Sequence, residues 1–189
     1  SKLVTSLYRK HPTGHLLVWK TNDPTNLRGA HTGDNHQTSV LIDGQQRLTS
    51  LYVLFNDEAP AFYEGEKLHR GLWFNIVTET FSWYQKTKMQ GQPEWIDVHK
   101  FLSDGGLNGL LERSKDKSDE KDLYVQNINR LNRLDQIKDH SYTVDQLSGD
   151  EFSMEKVVEV FNMVNSAGTE LTRMDLAMAH LCTVWSEAR

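Results

Sequence analysis

Five consecutive residues gather the side chains that could do chemistry: Asp43, Gly44, Gln45, Gln46 and Arg47, set between the apolar runs "SVLI" and "LTSLYVLF". A carboxylate at the end of a strand can hold a magnesium-bound water or orient an attacking one. A glycine next to it lets the backbone turn sharply and lets a ligand approach the peptide, because no side chain stands in the way. The two glutamine amides can donate hydrogen bonds, and the planar fork of an arginine matches the oxygens of a phosphate. The set therefore forms a candidate triphosphate cradle.

Such a cradle needs a strand to end at the acid and a helix to begin just after the glycine. "TSVLID" has the β-branched and apolar content of a strand, and "QQRLTSLYVLFND" places apolar residues at 48, 51, 52, 54 and 55, a helical spacing. The first amides of such a helix lack intrahelical acceptors and carry the positive end of its dipole, which suits an anion. A plainer reading fits the same residues: a strand-to-helix turn with Asp43 as the N-cap and the glutamines as solvent-facing helix formers. The spacing is not that of a Walker loop, whose longer glycine arch and lysine are absent.

Around this junction the pattern predicts a helix in "LVTSLYRK" ended by His11-Pro12, a strand in "HLLVWK", and a loop over residues 21–38. His31 and His36 in that loop lack a third ligand placed by sequence and are read as solvated. "GLWFNIVTETFSWYQ" suits a hairpin turning at Thr78-Glu79-Thr80, with its tryptophans and tyrosines as sheet core rather than a base-stacking platform. "WIDVHKFLSDGGLNGLLER" mixes strand and helix. Asp119-Glu120-Lys121 mimics the acidic end of a nuclease motif, but it sits in a charge run that reads as a solvated linker or helix start. From about residue 120 the chain is mostly helical, with a short strand at "YTVDQL".

Composition bounds the rest. The chain has 189 residues, 38% hydrophobic and 25% charged, which suits one folded unit in one or two lobes. The net charge of -5 argues against a surface built wholly for nucleic acid, while leaving room for a local basic groove. With a single cysteine, Cys182, there is neither an intrachain disulfide nor a thiol cluster for zinc, and no metal-ligand set is predicted. No run approaches the roughly 18 apolar residues of a membrane span, and the start lacks the apolar region of a signal peptide, so the expected compartment is the cytoplasm. Beginning without Met and stopping at "VWSEAR" in a helical pattern, the sequence reads as an excised part of a longer polypeptide.

"VLIDGQQRLTSL" resembles the signature of the domains found at the N-terminus of GmrSD-type, modification-dependent restriction endonucleases, a family with a ParB/sulfiredoxin-like fold. The resemblance continues in order: "LVTSLYRKHPTGHLLVWK" looks like the family's helix, Pro-x-Gly turn and strand that precede the motif, and "VFNMVNSAGTELTRMDLAMAHL" looks like its later landmark. The implied fold class is α+β, a small mixed sheet with helices over residues 1–115 followed by a mainly helical portion over residues 116–189, truncated at its C-terminus. The implied activity is nucleoside triphosphate binding and hydrolysis with Mg²⁺, coupled in phage defence to DNA cleavage.

Asp43, Gly44, Gln45, Gln46 and Arg47 match the family motif residue by residue, so its nucleotide-binding role carries onto them, and the resemblance implies catalytic roles for Asp43, Gln46 and Arg47. In the later landmark, Asn165 ends a helix and Gly168 closes a turn toward a helix capped by Thr172, which needs no ligand. Facing the first cradle, Asn165 and Gly168 would also suit a phosphate or its metal. The family's upstream Gln-Arg segment would precede Ser1, and the His-Asn-His nuclease, as a second domain or a partner chain, is absent, so contact with DNA is expected through the full-length protein. A homo-oligomer is compatible with the sequence. The alternative is a non-enzymatic, nucleotide-switched module of ParB type that binds DNA or protein. Sulfiredoxin-like redox repair would need a reactive thiol beside the phosphate site, and Cys182 lies in an apolar stretch far from it in sequence.

Overall fold

A computed structural model describes residues 2–21, 38–60, 63 and 69–164. Among them are eight α-helices and six strands, the strands forming two separate three-stranded sheets, so the class is α+β as expected. The chain divides into two compact units that interleave in sequence, Ser1–Gly14 with Gln46–Ser141 and His15–Gln45 with Tyr142–Arg189.

The first unit opens with α1 (Lys2–Tyr8), which buries Val4, Leu7 and Tyr8. The helix stops before Pro12 is reached: Lys10 takes a left-handed φ of 57°, the His11 amide donates to the Ser6 carbonyl, and the Lys10 amide donates to Leu7. This is a Schellman closure, and it satisfies carbonyls that the helix end would otherwise leave open. The proline therefore lies in the turn that follows and does not itself break the helix.

The sheet of this unit is antiparallel, β3 (Leu72–Asn75) lying between β4 (Thr80–Trp83) and β5 (Trp95–Asp97). Alternation along β3 decides its faces. Leu72 and Phe74 point into the core, and Phe74 sits opposite both Phe81 and Ile96. Trp73 takes the other face and meets Tyr84 with ring centroids 5.0 Å apart, while Trp83 and Tyr84 stay exposed. The expectation that the tryptophans and tyrosines of this stretch form the sheet core is thus corrected: Phe74 fills the core with Phe81 packed against it, and Trp73, Trp83 and Tyr84 stay out of it. Helices cover the inner face with Val98 and Phe101 of α4 (Val98–Ser103), Leu107 of α5 (Gly106–Arg113) and Tyr124 of α6 (Ser118–Gln126). Leu131 and Leu134, one turn apart on α7 (Ile128–Asp135), are fully buried, and each such leucine contributes about 1.5–3 kcal/mol by leaving water. A short helix, α3 (Lys86–Met89), follows β4. The charge run proves to be a helix start, with Asp119 and Glu120 in the first turn of α6.

In the second unit β1 (Leu16–Thr21) is the central strand, antiparallel to β2 (Thr38–Asp43) and parallel to β6 (Val144–Leu147). Leu16, Leu17 and Trp19 of β1 are buried, as are Val157 and Val158 of α8 (Met154–Val164). The strand expected at "YTVDQL" is β6. Residues 31, 36, 165, 168 and 182, on which several expectations fall, lie outside the described residues. Among the described residues no helix is long and apolar enough to cross a membrane.

Candidate functional site

The junction begins with a fault in strand pairing. From Thr21↔Thr38 to Val18↔Leu41 the β1–β2 register is regular, but Leu17 pairs with Asp43, so Ile42 is an extra residue on β2. A bulge of this kind bends the strand and re-aims the side chain that follows it, here Asp43. Gly44 comes next, buried, with φ of 103°. That conformation is disfavoured for any residue with a side chain, which accounts for the glycine at this position. The helix α2 (Gln45–Asn56) then starts at Gln45, so Gly44 and not Asp43 flanks its first turn. Asp43 closes the strand and Gly44 makes the corner.

Gln45 is exposed and turns back, its Nε2 donating to the Leu41 carbonyl at 3.2 Å. The side chain thus ties the helix start to the strand that leads into it. Gln46 is exposed, and its carbonyl accepts from the Ser50 hydroxyl at 2.7 Å within the helix. The chain passes from one compact unit to the other at this pair of glutamines.

Arg47 is half-buried, and its Nη1 donates to the Thr13 carbonyl at 2.9 Å. Thr13 belongs to the Pro12-Thr13-Gly14 turn that follows α1, and its hydroxyl lies 3.2 Å from His140 Nε2. The arginine of the motif is therefore positioned by a turn 34 residues upstream. Motif reading missed this partnership because it treats Arg47 as a ligand group only. The signal in the sequence was the Pro-x-Gly turn itself, noted as a landmark and given no function. The apolar face of α2 is only partly covered: Leu54 is buried, while Leu48, Tyr52 and Phe55 are each more than a third exposed.

A second polar cluster lies at the β3–β4 hairpin. Asn75 Oδ1 accepts from the amides of Val77 and Thr78, and Glu79 takes a left-handed φ of 55°. Its carboxylate accepts from the Tyr8 hydroxyl at 2.6 Å and pairs with Arg130 Nε and Arg133 Nη1, each at 3.1 Å. Arg130 also donates to the carbonyls of Ile76 and Val77, and the Arg133 guanidinium lies 5.1 Å from the Tyr8 ring centroid. The hydrogen bond from Tyr8, then the two arginines, hold the Glu79 carboxyl below the usual carboxylate range, against the opposing effect of burial. Burial first, and the bond to Glu79 second, push the Tyr8 hydroxyl well above its usual range. No sequence signal marked this cluster, in which Glu79 meets Tyr8 from 71 positions away and Arg133 from 54.

Asn165 and Gly168 lie outside the described residues, so their place relative to the junction is not described. Among the described residues no three His, Cys, Asp or Glu side chains gather as a metal-binding group.

An α+β chain with a bulged strand, a left-handed glycine and a helix carrying Gln-Gln-Arg in its first turn defines the class of the domain. Residues 1–182 match the family described as GmrSD restriction endonuclease, N-terminal domain, and the chain belongs to that family. It is accordingly a component of a DNA-acting restriction system. No curated protein matches the sequence.

Proposed function

We propose that this domain binds, and hydrolyses, a nucleoside triphosphate with Mg²⁺, and that nucleotide state licenses DNA cleavage by a His-Asn-His nuclease domain or subunit of the same modification-dependent system. The observation that carries the reading is the junction itself: strand end at Asp43, corner at Gly44 and helix from Gln45, with Arg47 in the first turn. Membership of the restriction family sets the biological frame.

In this reading Gly44 keeps the corner free of side-chain atoms, so a phosphate can reach the helix-terminal amides. Arg47 supplies charge and donors to the β- and γ-phosphates. Asp43, re-aimed by the bulge, holds a metal-bound water or the attacking water, and Gln46, exposed on the first turn, orients it. Gln45 acts chiefly through its hydrogen bond to Leu41, which keeps the corner in shape. Asn165 and Gly168 are assigned to the same ligand, and Mg²⁺ would neutralise charge on the phosphates. Catalysis of this kind is positioning plus electrostatic stabilisation, which these side chains can supply. The mixed sheet β2-β1-β6 supports a ParB-type relationship for the second unit.

The test is calorimetric binding and phosphate release with ATP, GTP and CTP plus Mg²⁺, on the full-length protein and its Arg47→Ala variant. Binding with turnover, both weakened in the variant, is the expected result. Binding without turnover would favour the switch-like module of ParB type, and absence of binding would exclude both readings.

A further inference from the structure

The turn that receives Arg47 is built around an absent side chain. Gly14 has φ of 80°, and a Cβ placed there would lie 2.7 Å from Arg47 Nη1 and 3.5 Å from its Cζ. The same Nη1 is 2.9 Å from the Thr13 carbonyl. The guanidinium thus lies against the Thr13–Gly14 peptide, in space that any other residue at 14 would fill. Both residues belong to one compact unit. The turn has a second tether, since the Thr13 hydroxyl meets His140, whose amide donates to the Ile137 carbonyl.

From this geometry we infer that Gly14 is a positioning residue for Arg47: the missing side chain at 14 sets where the guanidinium rests, and through it how tightly the triphosphate is held. The second half of that statement rests on the nucleotide reading above; the first half does not. A guanidinium is the far end of a flexible side chain, so a new Cβ would displace it more readily than it would displace the turn. Gly14→Ala is then a way to move Arg47 off the Thr13 carbonyl without removing its charge. An arginine already held in place loses less freedom on meeting a phosphate, which is why displacement should weaken binding. The unfavourable φ of a non-glycine residue at 14 is a separate cost that does not depend on what stands at 47.

Four versions of the full-length protein separate these effects: wild type, Gly14→Ala, Arg47→Ala and the double variant. The position of Arg47 is read without ligand from its Nε–Hε signal in nitrogen-15 NMR, and ligand affinity from calorimetry with Mg·ATP. The expected results are a shift of the Arg47 signal away from its wild-type position in Gly14→Ala and roughly tenfold weaker binding, the size of one charge-assisted hydrogen bond. In the Arg47→Ala background the same substitution should change affinity by less than about twofold, as a double-mutant cycle demands of a residue acting through its partner. An unmoved signal, or an equal loss of affinity with and without Arg47, would overturn the inference. If the wild type binds no nucleotide, the nucleotide reading fails, and the NMR signal alone then upholds or overturns the positioning of Arg47 by Gly14. Should Gly14→Ala not fold, Gly14→Asn places a Cβ at the same point in a residue that tolerates left-handed φ.

Discussion

Two sites in this protein set arginines against different partners. At the β3–β4 hairpin, Arg130 and Arg133 converge on the Glu79 carboxylate, which also takes the Tyr8 hydroxyl, so an acid, two bases and a phenol answer one another. At the junction after β2, the Arg47 guanidinium donates to the main-chain carbonyl of Thr13, in a turn 34 residues upstream. The hairpin site stitches α1 and α7 to a turn and has the character of a structural clasp. The junction site sets Arg47 in the first turn of α2, the helix that follows the Gly44 corner, and a helix start suits an anion. Residue type alone does not separate the two; at the hairpin the arginines meet a carboxylate, and at the junction Arg47 reaches a turn carbonyl.

That contrast predicts separable effects on stability and on ligand binding. The largest belongs to the core beneath the clasp: Phe74, with no exposed surface, packs on Tyr8 and Phe81, and Phe74→Ala should cost about 3–5 kcal/mol in urea unfolding. A loss below about 1 kcal/mol would mean that the hairpin is not the centre of this unit. Next, Glu79→Gln keeps the shape but weakens three partnerships. Because both ion pairs are about a third exposed, each is worth little, and most of an expected loss of about 1–2 kcal/mol comes from the Tyr8 bond. Nucleotide affinity should be unchanged in this variant, and a parallel fall in affinity would erase the distinction between the sites. Arg47→Ala should show the converse, a stability loss below about 1.5 kcal/mol with a much larger effect on ligand binding.

The smallest effect is a pH dependence. Glu79 has a lowered folded pKa, so its contribution is present above the ordinary carboxylate value of about 4.3 and fades as pH falls through the lowered folded value. Tyr8 has a raised folded pKa, so its share is present below about 10 and fades as pH rises beyond that. Urea unfolding across pH should therefore give a less steep acid limb for Glu79→Gln than for wild type. Parallel curves would show that the clasp contributes no proton linkage.

Local pattern carried far into this fold. The strand β2, the corner at Gly44 and the helix α2 follow from apolar spacing and one glycine, and the hairpin follows from two β-rich runs around Thr78-Glu79-Thr80, its turn falling at residues 76–79 with Thr80 opening β4. What local pattern could not carry was register and partnership. A one-residue bulge at Ile42 depends on pairing with β1, and the outward turn of Trp73 depends on which face the helices cover. The bond from Arg47 to Thr13 and the clasp on Glu79 join residues far apart in sequence, and no spacing rule reports such meetings. Gly14 reads in the sequence only as part of a turn; its closeness to Arg47 belongs to the folded chain.

The central claim is that the junction at Asp43–Arg47 receives a triphosphate while the hairpin clasp does not. Titration calorimetry of the full-length protein with Mg²⁺ and each of ATP, GTP and CTP, run side by side on wild type, Arg47→Ala and Glu79→Gln, tests it most directly. The account predicts saturable binding of at least one nucleotide by wild type and Glu79→Gln with matching affinity, and a loss of roughly tenfold or more in Arg47→Ala. Equal binding by all three proteins, or none by wild type, would contradict it.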